Sequence, residues 1–285
     1  MIRIVTDTTC DLPADLLEQH HIVVVPINIQ FGQDTYEEGI SISREEFYRK
    51  VDQLNMIPMT SQPSLGQYIA AYSALAAEPD TEAILSIHIT SHLSGTYDAA
   101  VLAASQMRPN GPPIFVFDSL SGSMGLGFMV LEGAEMAEAG ASITEILDRL
   151  EVVREKMRIF FSIYDLRFAR MSGRVGMAKA LLASVLDIKL LLTVNDGQLA
   201  IFKRVRSQAQ AIRALVDTFV GEMGSLPAQV AVIHAEAPQA AEQVRAVLAE
   251  RLAATRIFVQ DLSLGVAVHF GPGTVGVVGY NPQAQ

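Results

Sequence analysis

Apolar residues arrive along this chain in short runs separated by longer stretches with helical spacing. Residues 2–6, 22–29, 83–89 and 114–118 are rich in Ile, Val, Leu and Phe, with the length and β-branched content of buried strands. Between them, residues 13–20, 44–54, 65–77, 97–107 and about 122–139 space their apolar positions as helices do. Ser43 with Glu46, and Ser64 with Gln67, form capping-box pairs ahead of two of these helices. Residues 30–38 are polar and read as a loop or hairpin. Short apolar strands alternating with helices predict a parallel sheet joined by right-handed crossovers.

The second half has a different rhythm. Gly140 ends a helix, Ser142 with Glu145 starts the next over residues 143–157, and a strand follows at 159–163. Apolar runs at 190–194 and 199–205 flank Asn195-Asp196-Gly197, whose Asp-Gly favours a tight hairpin and hence an antiparallel pair. A helix at 208–223, a strand at 229–234, a helix at 239–254 and strands at 256–260 and 274–280 complete the pattern. The expected fold class is α/β in two domains. Residues 1–157 form an N-terminal domain with a parallel sheet flanked by helices, and 158–285 a second α/β domain with a mixed sheet. A length of 285 residues, 50% of them hydrophobic and 18% charged, suffices for two cores.

Charge narrows the partners. A formal net charge of −10 disfavours nucleic acid, which needs a basic stripe to displace counterions, and a charged lipid surface as a permanent site. Cys10 is the single cysteine, so no intrachain disulfide forms. The first residues read as a strand with no apolar stretch of signal-peptide length. The apolar segments at 120–137 and 175–194 are interrupted by Glu132 and Glu135 and by Lys179, Asp187 and Lys189, too many charges for stable membrane insertion. The expectation is a cytoplasmic protein without a cofactor.

Ligands of a parallel sheet bind beyond the carboxyl ends of its strands. Here those positions are Thr6-Asp7-Thr8-Thr9, residues 90–96 and Asp118-Ser119, and Thr60-Ser61-Gln62-Pro63-Ser64 precedes a helix. All are rich in hydroxyls and lack lysine and arginine. Ser94 sits at a strand-to-helix turn, where helix N–H groups favour an anion; it is a candidate ligand contact, or else a simple helix cap. A serine hydrolase would want G-x-S-x-G at this elbow, but His92 stands where the first glycine belongs. The six histidines offer no H-E-x-x-H for zinc, and the glycines at 122–127 lack a phosphate-loop lysine. His269 precedes Gly271-Pro272-Gly273, a turn whose backbone can approach a ligand closely. Arg167, Arg170 and Arg174, and then Lys203, Arg204 and Arg206, are two basic stretches that fit either an acidic partner or a solvated face.

Taken together, Val5-Thr6-Asp7-Thr8 with Asp11-Leu12-Pro13, Thr60-Ser61-Gln62-Pro63-Ser64, Leu93-Ser94-Gly95-Thr96-Tyr97, Asp118-Ser119, the stretch from Asp165-Leu166 to Arg174, Asp187-Ile188-Lys189, and His269 with Gly271-Pro272-Gly273 resemble the DegV family of bacterial fatty-acid-binding proteins. The resemblance implies two α/β domains with one long-chain fatty acid bound between them in an apolar tunnel. Its carboxylate would be held by Thr60 or Ser61, by Ser94 and by His269, with Gly95 and Gly271 as head-group neighbours. It also implies a non-catalytic protein that presents the acid to a separate ATP-dependent fatty acid kinase subunit, the acyl phosphate then serving phospholipid synthesis. Arg170, Arg174, Arg204 and Arg206 would face that partner. Arg170-Met171-Ser172-Gly173-Arg174 departs from the family's R-G-G-R-like segment by one extra residue, and Pro58 and Met59 stand where a lysine often precedes T-S-Q-P-S. The alternative is a lipid or ester hydrolase using Ser94 with His269 or His92.

Overall fold

The first apolar run forms strand β1 (Ile2–Asp7), followed by a 3-10 turn at Thr8–Cys10 and helix α1 (Ala14–Gln19). The computed structural model describes residues 1–107, 111–174, 188–225 and 227–283, so Lys179 and Asp187 lie outside the described residues. The run at 22–29, expected to be one strand, is two: β2 (Val23–Val25) and β3 (Asn28–Phe31) belong to different sheets. Pro26 between them supplies no N–H for a ladder and fixes its own φ, so the pairing stops there. The polar stretch after β3 is a hairpin into β4 (Asp34–Glu37). Helix α2 (Arg44–Leu54) follows, with Ser43 accepting from the Glu46 amide. Then comes a short strand absent from the sequence reading, β5 (Met59–Ser61), which pairs antiparallel with β3.

Helix α3 (Leu65–Ala76) carries the full Ser64–Gln67 capping box. Strand β6 (Ala83–His88), helix α4 (Thr96–Gln106), strand β7 (Ile114–Asp118) and helices α5 (Met124–Glu138) and α6 (Ile143–Lys156) complete the first half. The main sheet runs β2-β1-β6-β7 and every pairing is parallel. All six residues of β6 are buried, because helices cover both faces. On one face Val5, Ile84, Tyr68, Tyr72, Leu75, Ala100 and Ala103 cluster beneath α3 and α4. On the other, α5 lies so close that a Cβ on Gly127 would come 2.4 Å from the Cys10 carbonyl. Each fully buried Leu, Ile or Phe contributes about 1.5–3 kcal/mol, and that sum holds the β-strand ends in register.

The second unit, Lys156–Gln285, is distinct from the first, Met1–Glu155. It contains β8 (Arg158–Ile163), α7 (Leu166–Ser172), β9 (Lys189–Asn195), β10 (Gln198–Val205), α8 (Gln208–Met223), β11 (Ala228–His234), α9 (Pro238–Arg251), β12 (Ala254–Asp261), α10 (Leu264–Phe270) and β13 (Val275–Tyr280). Its sheet runs β10-β9-β8-β13-β11-β12, antiparallel throughout except for β11 with β12, so it is mixed as expected. The Asp196-Gly197 hairpin joins β9 to β10. Phe160, Phe219, Val230, Val232 and Val277 build the core under α8 and α9. The seven-residue helices α7 and α10 were not foreseen.

Candidate functional site

In the first unit, hydrogen bonds tie the strand-end loops to one another. The Ile89 amide donates to the Asp7 carboxylate (3.3 Å), the Ser91 amide to both oxygens of Asp118 (3.3 Å each), and the Thr90 amide to the Ser121 carbonyl (2.8 Å). The Thr60-to-Ser64 segment joins them by packing. The Gln62 side chain lies 3.1–3.3 Å from where a Cβ on Gly95 would be, so these two segments approach closely and a larger residue at 95 would have to displace the Gln62 amide. Asn28 Nδ2 holds the segment from the other side through the Gln62 carbonyl (3.2 Å).

Ser94 is not the helix cap. Gly95 takes that position and makes no side-chain cap bond. Ser94, half-buried, accepts from the Thr96 amide (3.3 Å) and pairs its Oγ with Thr96 Oγ1 at 2.7 Å. Thr96 is wholly buried, so when it donates in that pair the Ser94 proton is left for an acceptor outside. Ser61 lies exposed at the end of β5, and its hydroxyl has no hydrogen bond among the described residues; Thr60 beside it is half-buried. Other hydroxyls of these loops are used internally: Thr8 donates to Glu38 (2.7 Å), Ser64 caps α3 and Ser119 donates to the Ser121 carbonyl (3.2 Å).

Within this unit Ser94 is bonded to a threonine and not to an imidazole. A serine, histidine and aspartate do line up nearby, but underground. Ser86 Oγ is 2.7 Å from His88 Nε2, and His88 Nδ1 is 2.9 Å from Asp7 Oδ2, with all three residues at 0% exposure. Tyr72 OH extends the row to Ser86 (2.8 Å), and burial pushes its pKa up to about 12. No ester can reach a hydroxyl so enclosed, so this row is not a hydrolytic triad.

In the second unit, His269 occupies the last turn of α10. Burial, with the Arg174 charge adding to it, pushes its pKa down to about 3. The imidazole is therefore neutral at pH 7, one ring nitrogen donating and the other accepting. The turn after it is moulded onto the segment following β8. Gly271 and Gly273 have φ of +78° and +86°, and a Cβ at either would stand 2.6 Å from the Phe168 ring or 2.9 Å from Tyr164. The Gly273 amide donates to the Ala235 carbonyl (2.7 Å). Tyr164, Asp165, Pro272 and Gly273 line a cleft of about 450 Å³.

The basic residues divide by position. Arg167 makes a two-pronged pair with Asp165, which lowers that carboxyl's pKa. Arg170 is exposed on α7, Arg174 is exposed just past it and electrostatically coupled to His269, Arg204 is exposed on β10, and Arg206 follows that strand. Phe168 and Tyr164 are the contributors to these surroundings that sequence reasoning missed, and Asp7 and Gln62 entered it only as members of their loops, without a role. For Asp7 a signal existed: Ile84, Ser86 and His88 alternate on one face of a buried strand, and polar groups there require buried partners.

Known proteins resemble this chain in sequence and backbone from end to end. The model of a family described as "Uncharacterised protein, DegV family" matches residues 1–281. Protein DegV of Bacillus subtilis is 31% identical over 278 residues, covering 97% of this chain and 98% of that one. A DegV domain-containing protein of Mycobacterium tuberculosis is 35% identical over 287 residues, covering 99% of each. Among solved structures, that of a fatty-acid-binding DegV family protein from Thermus thermophilus superposes with a TM-score of 0.90 at 32% identity, covering 98% of this chain and 99% of that chain. That of DegV from Bacillus subtilis, a fatty acid binding protein, does so at 0.85 and 30%, with the same coverage. Sequence matches over almost the whole of each relative, and a backbone that follows theirs, agree in one conclusion: this chain belongs to the DegV family.

Proposed function

We propose that this protein binds one long-chain fatty acid in the cytoplasm and presents its carboxylate to a separate ATP-dependent kinase subunit, which forms an acyl phosphate destined for phospholipid synthesis. The carboxylate is taken by hydroxyls of Thr60 or Ser61 and Ser94 and by the imidazole of His269, with Gly95 and Gly271 leaving room beside it. One observation carries the reading. The Thr60-to-Ser64 segment and the Ser94 turn are packed together through Gln62 and Gly95 at the carboxyl end of a parallel sheet, and neither carries a lysine or arginine. Two relatives solved as fatty-acid-binding proteins support it.

The energetics suit such a ligand. Burying about fifteen methylenes at about 0.8 kcal/mol each supplies roughly 12 kcal/mol, against association terms of about 4–15 kcal/mol. The head-group donors need only orient the carboxylate and compensate its desolvation, at about 1.5–3 kcal/mol per charge-assisted bond. Neutral donors also leave the carboxylate oxygen a better nucleophile than a bidentate guanidinium pair would. Arg170, Arg174, Arg204 and Arg206 form the basic face offered to the kinase and its phosphate.

Oleic acid titration, and its phosphorylation in the presence of kinase and ATP, test both parts on wild type and on the Arg204→Glu, Arg206→Glu double variant. The expected outcome is equal affinity for oleic acid in both proteins and slower phosphorylation with the variant. Equal loss of binding and phosphorylation contradicts the docking role, and a wild type that takes up no oleic acid overturns the whole reading.

A further inference from the structure

Asp7 is wholly buried at the end of β1 and accepts four hydrogen bonds. Oδ1 takes the Thr9 amide (3.0 Å) and the Thr9 hydroxyl, and Oδ2 takes His88 Nδ1 (2.9 Å) and the Ile89 amide (3.3 Å). A carboxylate only accepts, so His88 Nδ1 carries a proton toward it, while Nε2 meets Ser86 and, through Ser86, Tyr72. The Tyr68 hydroxyl also lies 3.3 Å from His88 Nδ1, and beyond these polar groups the surroundings are apolar, with Val5, Ile84 and Leu75. Burying an ionised group there is expensive, and apolar residues of the same volume commonly stabilise as well or better. What the carboxylate supplies and an apolar pair does not is direction.

Two of its four bonds go to the turn that leaves β1, and one to the first residue of the loop leading to Ser94. The turn passes the constraint on. Thr8 Oγ1 accepts the Ile27 amide (3.2 Å) immediately before β3 and donates to Glu38 (2.7 Å) at the end of β4. Strand β3 in turn holds β5, with Ile29 opposite Thr60 and Asn28 opposite Ser61. One buried carboxylate thus stands at the origin of both segments that carry head-group hydroxyls. We propose that Asp7 is a positioning residue for fatty acid recognition, setting the Ser94 turn and the Thr60–Ser61 strand at the separation that a carboxylate requires. This inference rests on the fatty acid reading above and adds a residue that touches no ligand.

The test compares oleic acid with oleyl alcohol, a ligand of the same chain and a neutral head, by titration of delipidated wild type, Asp7→Asn, Thr9→Val and, as reference for a lost direct contact, Ser94→Ala. Asp7→Asn keeps the shape but replaces an acceptor by a donor facing N–H groups. It is expected to reduce the preference for acid over alcohol by about tenfold, the equivalent of one hydrogen bond, with affinity for the alcohol unchanged. Thr9→Val, which removes one of the four bonds, is expected to shift the preference in the same direction by less, and it decides the matter by the same comparison if Asp7→Asn does not fold. Equal weakening of both ligands, or an unchanged preference, overturns the role of Asp7. A wild type with no preference for the acid contradicts instead the head-group reading on which the inference rests.

Discussion

His269 is neutral at pH 7 because burial disfavours its charged form and the Arg174 charge adds to that. That has a thermodynamic sign. The unfolded chain takes up a proton near the ordinary histidine value of 6.5, whereas the folded one does so only near pH 3. Between those values the unfolded state binds more protons, so His269 makes the ligand-free protein less stable as pH falls from about 6.5 toward 3. Urea midpoints measured at pH 7 and pH 4.5 should fall less on acidification in His269→Gln than in wild type; the same fall in both would contradict the depressed value. At this scale the sequence was legible in part. Its place after a strand marked Ser94 as a candidate and the Gly-Pro-Gly turn marked His269, but whether a hydroxyl is spent internally is not written in the order of residues. Thr8 and Ser119 belong to the same hydroxyl-rich loops, yet each donates to a neighbour.

Elements of ten residues or more were foreseen because periodicity accumulates over several turns. Helix α8 (Gln208–Met223) was expected with the same limits. The seven-residue α7 and α10 and the three-residue β5 were not, since so short a segment shows no period and is held by packing instead. The same packing explains the Gly-Pro-Gly turn. Sequence suggests a turn that lets a ligand approach, and the structure adds Phe168 and Tyr164 pressed against its glycines. Gly271→Ala should strain a backbone at φ +78° and push on the Phe168 ring, destabilising the protein by about 1–3 kcal/mol. A lower urea midpoint at pH 7 is the expected observation, and an unchanged midpoint would show that the helix end yields freely.

At the scale of the molecule, the alternation of strands and helices predicts the parallel direction of the first unit's main sheet but not its order, β2-β1-β6-β7. The second sheet was harder, because β13, last in sequence, enters its middle between β8 and β11. Its glycines admit that insertion; a Cβ on Gly276 would stand 2.7 Å from Phe161 Cβ, and one on Gly279 2.4 Å from the Gln229 carbonyl. No local pattern announces such a partner. The split of 22–29 at Pro26 likewise sends adjacent strands to separate sheets and so places β5, with Thr60 and Ser61, beside β3. On the proposed reading acyl-chain recognition belongs to this scale too, since affinity would come from methylenes buried along the ligand and not from any one donor.

Native mass spectrometry of the purified protein, before and after extraction with organic solvent, tests that claim most directly. The account predicts one adduct of fatty-acid mass per chain that disappears on extraction and returns when oleic acid is added. A protein that carries no such mass and takes up no oleic acid after extraction would contradict it.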